Sequence, residues 1–382
     1  MIRKMPIILF GLLALVWLTY QWMPPIFQSI LYGISLSIKS LIVFLLPFLI
    51  FGLLFKTSVY LAKKATKWVL FLVVTICLSN FITTMLSYLV GSIAYQFDLS
   101  LTLPSPGSAL VPMGNISLPT MAINSYAMFS GLLFGLLCGW LKPALAGKIA
   151  FQLEKYITLF FKSFIYVIPL FILGFIVKMM HDGVMSIILR DYSVIFGIVA
   201  SAAFIYIALL YFIASHFQPK TFVRSVKNML PATLAGFGSM SSAAAMPLTI
   251  LGTEKNSKHP DIARSIIPAT VNIHLIGDCF AIPIFAFAVM KSFGFTEPSI
   301  FSYLIFAAYF VLAKFSVAAV PGGGILVMLP ILETYLGFNS EMLSLITAFY
   351  ILFDPVITSA NVLGNGAFAM GMGNLISNRK NF

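Results

Sequence analysis

The sequence predicts an all-α integral membrane protein with eight transmembrane helices plus two oppositely oriented re-entrant hairpins. Three observations carry this. Of the 382 residues, 60% are hydrophobic and only 9% are charged. A soluble domain carries roughly 25% charged residues, so too few are present to coat a water-facing surface. That excludes an ordinary soluble enzyme, a nucleic-acid binder and a disordered chain. The apolar runs are long and unbroken, without the alternation of a transmembrane β-barrel, so the spanning elements are helices. Finally, the basic residues sort to one side once the spans are counted.

The charge balance is Lys+Arg 23 against Asp+Glu 11, or +12. In a membrane protein this excess anchors cytoplasmic loops, so the expected surroundings are membrane lipid and no nucleic acid. The cysteines Cys77, Cys138 and Cys279 lie inside apolar runs and form neither a disulfide framework nor a metal spacing.

Arg3 and Lys4 precede an uncharged stretch from Met5 to Met23. It lacks a small-residue cleavage site and is long enough to span, so it reads as a first membrane helix and not a signal peptide. By the rule that about 20 apolar residues cross a bilayer, the spans are 5–23, 29–55, 68–95, 122–141, 157–180, 193–215, 265–290 and 342–376. Two further apolar stretches, 229–252 and 300–336, are interrupted by small residues and proline. With the N-terminus inside, eighteen of the 23 basic residues fall in inner loops; Lys39, Lys178, Arg190, Lys291 and Lys314 do not. The count holds only if each interrupted stretch enters and leaves on one side, the first from the cytoplasm and the second from outside. The loop of residues 96–121 is the longest polar connection and holds a sequon-like triplet at Asn115 that carries little weight.

The first hairpin turns within Gly236–Pro247 and the second within Ala318–Gly324. Backbone groups freed at such breaks must be buried in protein or bind something. Half-helix N-termini suit anions and unwound carbonyls suit cations. The plain alternative is tight helix packing through small residues, but two hairpins of opposite orientation favour inverted repeats.

Each hairpin is followed by a polar-bearing helix. Asp354, Thr358, Asn361 and Asn365 are spaced 4, 3 and 4 and share one helical face. A carboxylate at mid-membrane costs roughly 2.5–3.5 kcal/mol or more, which makes Asp354 a functional candidate. His274 and Asp278 also share a face. For His274, a neutral imidazole bonded to backbone and a titratable group in an ion path both stay open.

At these residues the chain resembles the dicarboxylate/amino acid:cation symporter family, the glutamate transporter family. Four landmarks stand in family order: Ser239-Met-Ser241-Ser242 leading to Pro247, Thr270-Val-Asn272-Ile-His274, Val320-Pro-Gly322-Gly-Gly324, and Asp354 through Thr358 and Asn361 to Asn365. The match covers about residues 221–372; earlier residues match in layout only.

The resemblance implies an elevator-type homotrimer. A static scaffold (residues 1–61 and 122–188) would hold a mobile transport domain (helix three with the outer loop, 62–121, and the core, 189–382). Carried over by position, Ser242 and Asn361 would hold a substrate carboxylate and Asp354 an α-amino group. Backbone at Val320, Gly322 and Gly324 would close over both, with Ser241 and Thr358 in the same site. Cation coupling would fall to Ser79, Asn80, Thr270, Asn272, His274, Asp278, Asn361 and Asn365, with a sodium position at Asn272, Asn361 and Asn365.

The departures are informative. The family's carboxylate-gripping arginine falls on Ile357, an alternative arginine position on Met240, and the neighbouring threonine on Ile276. Arginine reads carboxylates bidentately, and nothing cationic replaces it in this reading. The expectation is a neutral, apolar amino acid in a pocket lined by Ile276 and Ile357, and not a dicarboxylate. Two sodium-binding carboxylates of the family fall on His274 and Asn365, so the coupling cation is Na+ or H+, with no other cofactor. Three alternatives stay open: a solute sensor, an ion-leak channel, or a symporter of acidic substrates using another carboxylate-binding group. A membrane enzyme would need a nucleophile–base set or metal cluster, and no such grouping stands in the sequence. The expected location is a bacterial inner (plasma) membrane with both termini cytoplasmic.

Overall fold

The computed structural model describes residues 5–63, 67–96, 110–119, 124–182, 185–257, 260–317 and 322–379. Among them the regular elements are all helical: α1 (Met5–Thr19), α2 (Pro25–Lys63), α3 (Lys67–Tyr95), α4 (Asn124–Leu141), α5 (Pro143–His181), α6 (Met185–Ala214), α7 (Pro219–Ser239), α8 (Ser242–Glu254), α9 (Pro260–Thr270), α10 (Ile276–Ser292), α11 (Ile300–Ala313), α12 (Gly323–Leu336) and α13 (Ser340–Arg379). Among the described residues, Leu70–Tyr95, Tyr192–Ala214 and Glu341–Leu375 are long and apolar enough to cross a bilayer.

The helices follow the expected spans, with α2 running on to Lys63, α6 starting at Met185 and two larger differences. The fifth begins at Pro143, where a proline at the helix start loses nothing because its missing N–H has no partner there. Extended to His181, it has 39 residues, as does α2. Each is roughly 58 Å long and exceeds the bilayer's hydrocarbon core of about 30 Å. The seventh span is not continuous: α9 ends at Thr270 and α10 starts at Ile276.

Two packing groups emerge. In the first, α2 packs against α4 and α5. Gly131, Gly135 and Gly139 recur every fourth residue on α4 and let it lie on α2. Side chains there would reach within 2.7 Å of the Phe51 carbonyl oxygen, 2.6 Å of the Phe55 carbonyl oxygen and 2.5 Å of Ala62. Small residues at this spacing allow close backbone approach in lipid. In the second group, α10 packs against α3, α6 and α13. It is buried along its length except at Lys291, as expected for a helix apolar on every face. Tyr303 of α11 joins this group, donating to the Thr84 carbonyl at 2.8 Å and meeting Ser87 Oγ at 2.9 Å. The outward face of α3 is a stripe of exposed Leu70, Val74, Leu78, Ile82, Leu89 and Ile93, a surface matched to lipid.

Both hairpins are present. α7 and α8 pack together around a turn at Met240, whose backbone is left-handed (φ 51°). Ser241 then caps α8 by accepting the Ala244 N–H at 3.2 Å. α11 leads through a 3-10 turn (Lys314–Ser316) toward α12, which opens at Gly322 (φ 71°). The expected tip residues Ala318 to Pro321 lie outside the described residues.

The break between α9 and α10 is held by side chains. Asn80 Nδ2 donates to the Ile273 carbonyl at 2.8 Å, and Asn365 Nδ2 to the His274 carbonyl at 3.1 Å. Asn361 Oδ1 accepts the Gly277 N–H at 2.8 Å and the Asp278 N–H at 3.4 Å. Three asparagines thus satisfy backbone groups that the unwound stretch frees inside the protein.

Candidate functional site

The two hairpin turns, the start of α10 and the middle of α13 converge on a cavity of about 250 Å³, its open mouth included. Met240 and Ser242 line it from the first hairpin, Val317 and Gly324 from the second, and Leu275 and Asp278 from the unwound segment and α10. Tyr350, Asp354, Thr358 and Asn361 line it from α13.

Two buried carboxylates face this space, and they are satisfied differently. Asp354 accepts the Gly322 N–H at 2.8 Å and the Thr358 hydroxyl at 2.8 Å. Among the described residues it has no cationic partner. Asp278 accepts from the Lys314 ammonium at 3.0 Å and the Tyr350 hydroxyl at 2.8 Å, with Asn361 Nδ2 at 3.4 Å. The Lys314 side chain is 0% exposed, Asp278 is 1% exposed, and the ammonium also stands 4.5 Å from the centre of the Phe310 ring. Pairing of this kind offsets the cost of burying both charges.

Ser242, Gly324, Asp354, Thr358 and Asn361 of the expected substrate set therefore share one cavity, joined by Asp278 from the expected coupling set. Gly322 touches Asp354 through its backbone, and Ser241 serves as the cap of α8. Val320 lies outside the described residues. Ile276 and Ile357 are buried but do not line the cavity. Ile276 packs on Gly364, and the Ile357 carbonyl lies against Gly277. Where α10 starts after the break at 271–275, Leu275 and Asp278 line the cavity instead. Its apolar wall is Met240, Leu275 and Val317.

In the coupling set, Ser79, Asn80, His274 and Asn365 gather around the unwound segment. Thr270 returns its hydroxyl to the Ile266 carbonyl of its own helix. Asn272 is exposed at the turn between α9 and α10, whereas Asn361 and Asn365 are buried. The expected sodium trio of Asn272, Asn361 and Asn365 is therefore not assembled here, because the turn carries Asn272 outward.

The expectation that nothing cationic stands near the site is corrected by Lys314. The signal was available: it is a lone lysine in the apolar run from Phe310 to Phe315, and an ionisable residue inside the membrane marks function whatever its sign. Tyr350 extends the polar face of α13 by one turn before Asp354, but reads as an ordinary core aromatic by sequence.

A family profile described as the Sodium:dicarboxylate symporter family matches residues 121–375. The chain belongs to that family. The chain is also similar to an excitatory amino acid transporter of Onchocerca volvulus, 29% identical over 166 residues. The excitatory amino acid transporter 1 of Mus musculus is 29% identical over 199 residues, and that of Homo sapiens 28% over 199 residues. These matches cover 43%, 51% and 51% of the chain but only 32%, 35% and 35% of the relatives. The chain thus spans about a third of the length of the relatives it matches. The family consists of all-helical membrane symporters, transporters and not enzymes.

Proposed function

We propose that this symporter-family chain is a secondary active, cation-coupled carrier of a small neutral amino acid. The observation that carries the reading is the inequality of the two cavity carboxylates. Asp278 already holds a cation, Lys314, whereas Asp354 has only neutral donors. A ligand ammonium at Asp354 supplies the missing charge, and Ser242 offers a hydroxyl to the ligand carboxylate. Met240, Leu275 and Val317 supply an apolar wall for its side chain. The test is thermal stabilisation of the purified protein by L-leucine, L-alanine, L-aspartate and succinate. Stabilisation by the first two alone is expected; preference for aspartate or succinate overturns the neutral-substrate reading.

Lys314 favours a second reading, a symporter of dicarboxylates or acidic amino acids, in keeping with the family description and with relatives named for excitatory amino acids. Lys314 would then leave Asp278 to meet the substrate's second carboxylate. In that case Lys314→Met abolishes aspartate binding, whereas the neutral reading leaves Lys314 out of contact with the ligand.

The packing groups support the proposed division into a scaffold with α2, α4 and α5 and a moving unit with α3 and α6 to α13. An elevator motion within a homotrimer, in a bacterial inner membrane with cytoplasmic termini, completes the proposal. Site-specific cross-linking between α2 and α13 in two states tests the motion. Native mass spectrometry from detergent tests the trimer.

A further inference from the structure

The outward face of α7, the first arm of the first hairpin, changes character along its length. Lys220, Arg224 and Lys227 are exposed in its first half. They fall within about 60° of the helix circumference. Leu230, Leu234 and Phe237 follow on the adjoining sector, 48%, 68% and 45% exposed. The opposite side, with Ser225, Met229, Ala232 and Gly236, is buried. From Lys227 to Phe237 the helix rises about 15 Å, half of the hydrocarbon core of about 30 Å. A cationic start and an apolar run of one leaflet's depth therefore lie end to end on the outer side of one helix.

The three cations stand without acids. Among the described residues none of them has an ion-pair partner. Glu254, at the end of α8, is taken by Arg264 at 2.6 Å. Asn256 ties the two arms together, accepting from Asn228 Nδ2 at 2.7 Å and donating to the Ser225 carbonyl at 2.9 Å. This places the exposed Lys255 at the same mouth of the hairpin. Cations that only anchor a loop need nothing but water beyond them. Here the row continues into an apolar strip that neither water nor a free phosphate fills, whereas a phospholipid presents a phosphate and acyl chains in that order.

We propose that this face of α7 binds an anionic phospholipid. Lys220, Arg224 and Lys227 meet the headgroup, with the Arg224 guanidinium pairing the phosphate bidentately, and the acyl chains lie along Leu230, Leu234 and Phe237. The site requires only that the mouth of the hairpin stand at a bilayer surface, in either leaflet. It is separate from the cavity, which the hairpin reaches at its other end through Met240 and Ser242, so it stands whatever solute the cavity takes. A lipid held there ties the first hairpin to the bilayer surface at the end away from the cavity.

The full chain carrying Leu234→Trp, reconstituted in phosphatidylcholine liposomes, tests the site. Brominated phosphatidylglycerol or brominated phosphatidylcholine serves as quencher of the new tryptophan, with the signal of the unsubstituted chain subtracted. Quenching by the anionic lipid is expected at a surface concentration at least about tenfold lower than by phosphatidylcholine. Lys220→Gln, Arg224→Gln and Lys227→Gln together should abolish this preference, and each alone should cut it about fivefold. The matched triple Lys142→Gln, Lys148→Gln and Lys155→Gln, which removes three exposed cations in and before α5, should leave it intact. Loss with both triples marks a general surface-charge effect and overturns the site, as does equal quenching by the two lipids. Should the α7 triple fail to fold, the Leu234→Trp chain alone still decides. Its preference is expected to fall as salt rises from about 0.05 M to about 0.5 M, and a preference indifferent to salt overturns the proposal. Added glycerol 3-phosphate should not relieve the quenching; relief would mark a phosphate site with no need of a lipid and overturn the assignment.

Discussion

Lys314 donates to Asp278 across 3.0 Å with both side chains sealed from solvent, and this pair joins the second hairpin to the start of α10. Removing one partner of a buried pair strands the other charge, at a cost of about 3–5 kcal/mol. Lys314→Met alone should therefore lower thermal stability sharply in nanodiscs. The double substitution Lys314→Met with Asp278→Leu should recover most of the loss, since apolar replacement of a whole buried pair is often nearly neutral. A double variant no more stable than the single one would show that the pair is not an isolated unit.

Asp354 is the cavity carboxylate without a cation. Asp354→Asn keeps its shape and removes its charge. A charge-assisted hydrogen bond is worth about 1.5–3 kcal/mol, so neutral amino-acid affinity should fall about 10- to 150-fold by isothermal titration. Unchanged affinity would remove the amine-binding role.

Gly324 leaves no room for a side chain. An added Cβ would stand 2.8 Å from Asp278 Oδ2 and would collide with the Tyr350 hydroxyl. Gly324→Ala should displace the start of α12 and weaken ligand binding at least tenfold. Adding Tyr350→Phe, which removes the obstructing hydroxyl, should restore part of it in the same titration.

Asn361 is committed to α10 as an external cap. Asn361→Ala should destabilise the fold by about 1 kcal/mol, the usual value of such a cap, in addition to any effect on ligand affinity. Hydrogen exchange at Gly277 and Asp278 should rise in the variant while exchange deeper in α10 stays slow.

The α2–α4 contact has a sharper requirement. Gly135→Val would drive a branched side chain into the Phe55 carbonyl, where even a Cβ comes within 2.6 Å. A loss of folded protein on size-exclusion chromatography is expected, whereas Gly11→Val, with open space around it, should leave the yield unchanged.

The hairpins were legible in the sequence because Gly and Pro interrupt apolar runs at Gly236–Pro247 and Gly322–Gly324. The polar face of α13 was legible for a similar reason, since the spacing from Asp354 to Asn365 has one helical solution. The break at 271–275 was not, because Val271, Asn272, Ile273 and Leu275 contain no glycine or proline. What unwinds the chain there is the long-range claim of Asn80, Asn361 and Asn365 on its backbone. Ile276 was misplaced for the same reason, since Leu275 and Asp278 line the cavity where α10 starts, whereas Ile357 lies within the continuous α13 with its carbonyl against Gly277. Lys314 and Asp278 were each visible as charges, but their pairing joins positions 36 apart in the chain, which no local pattern reports.

The bond from the Gly322 amide to Asp354 has a consequence for the proposed cycle. A carrier that moves solute in one direction must reset without cargo, and an unmet carboxylate would hinder that return. A backbone amide of the second hairpin holds the Asp354 carboxylate. In the proposed cycle that amide would act as a stopper on the return step, and cargo would enter by competing with the chain itself.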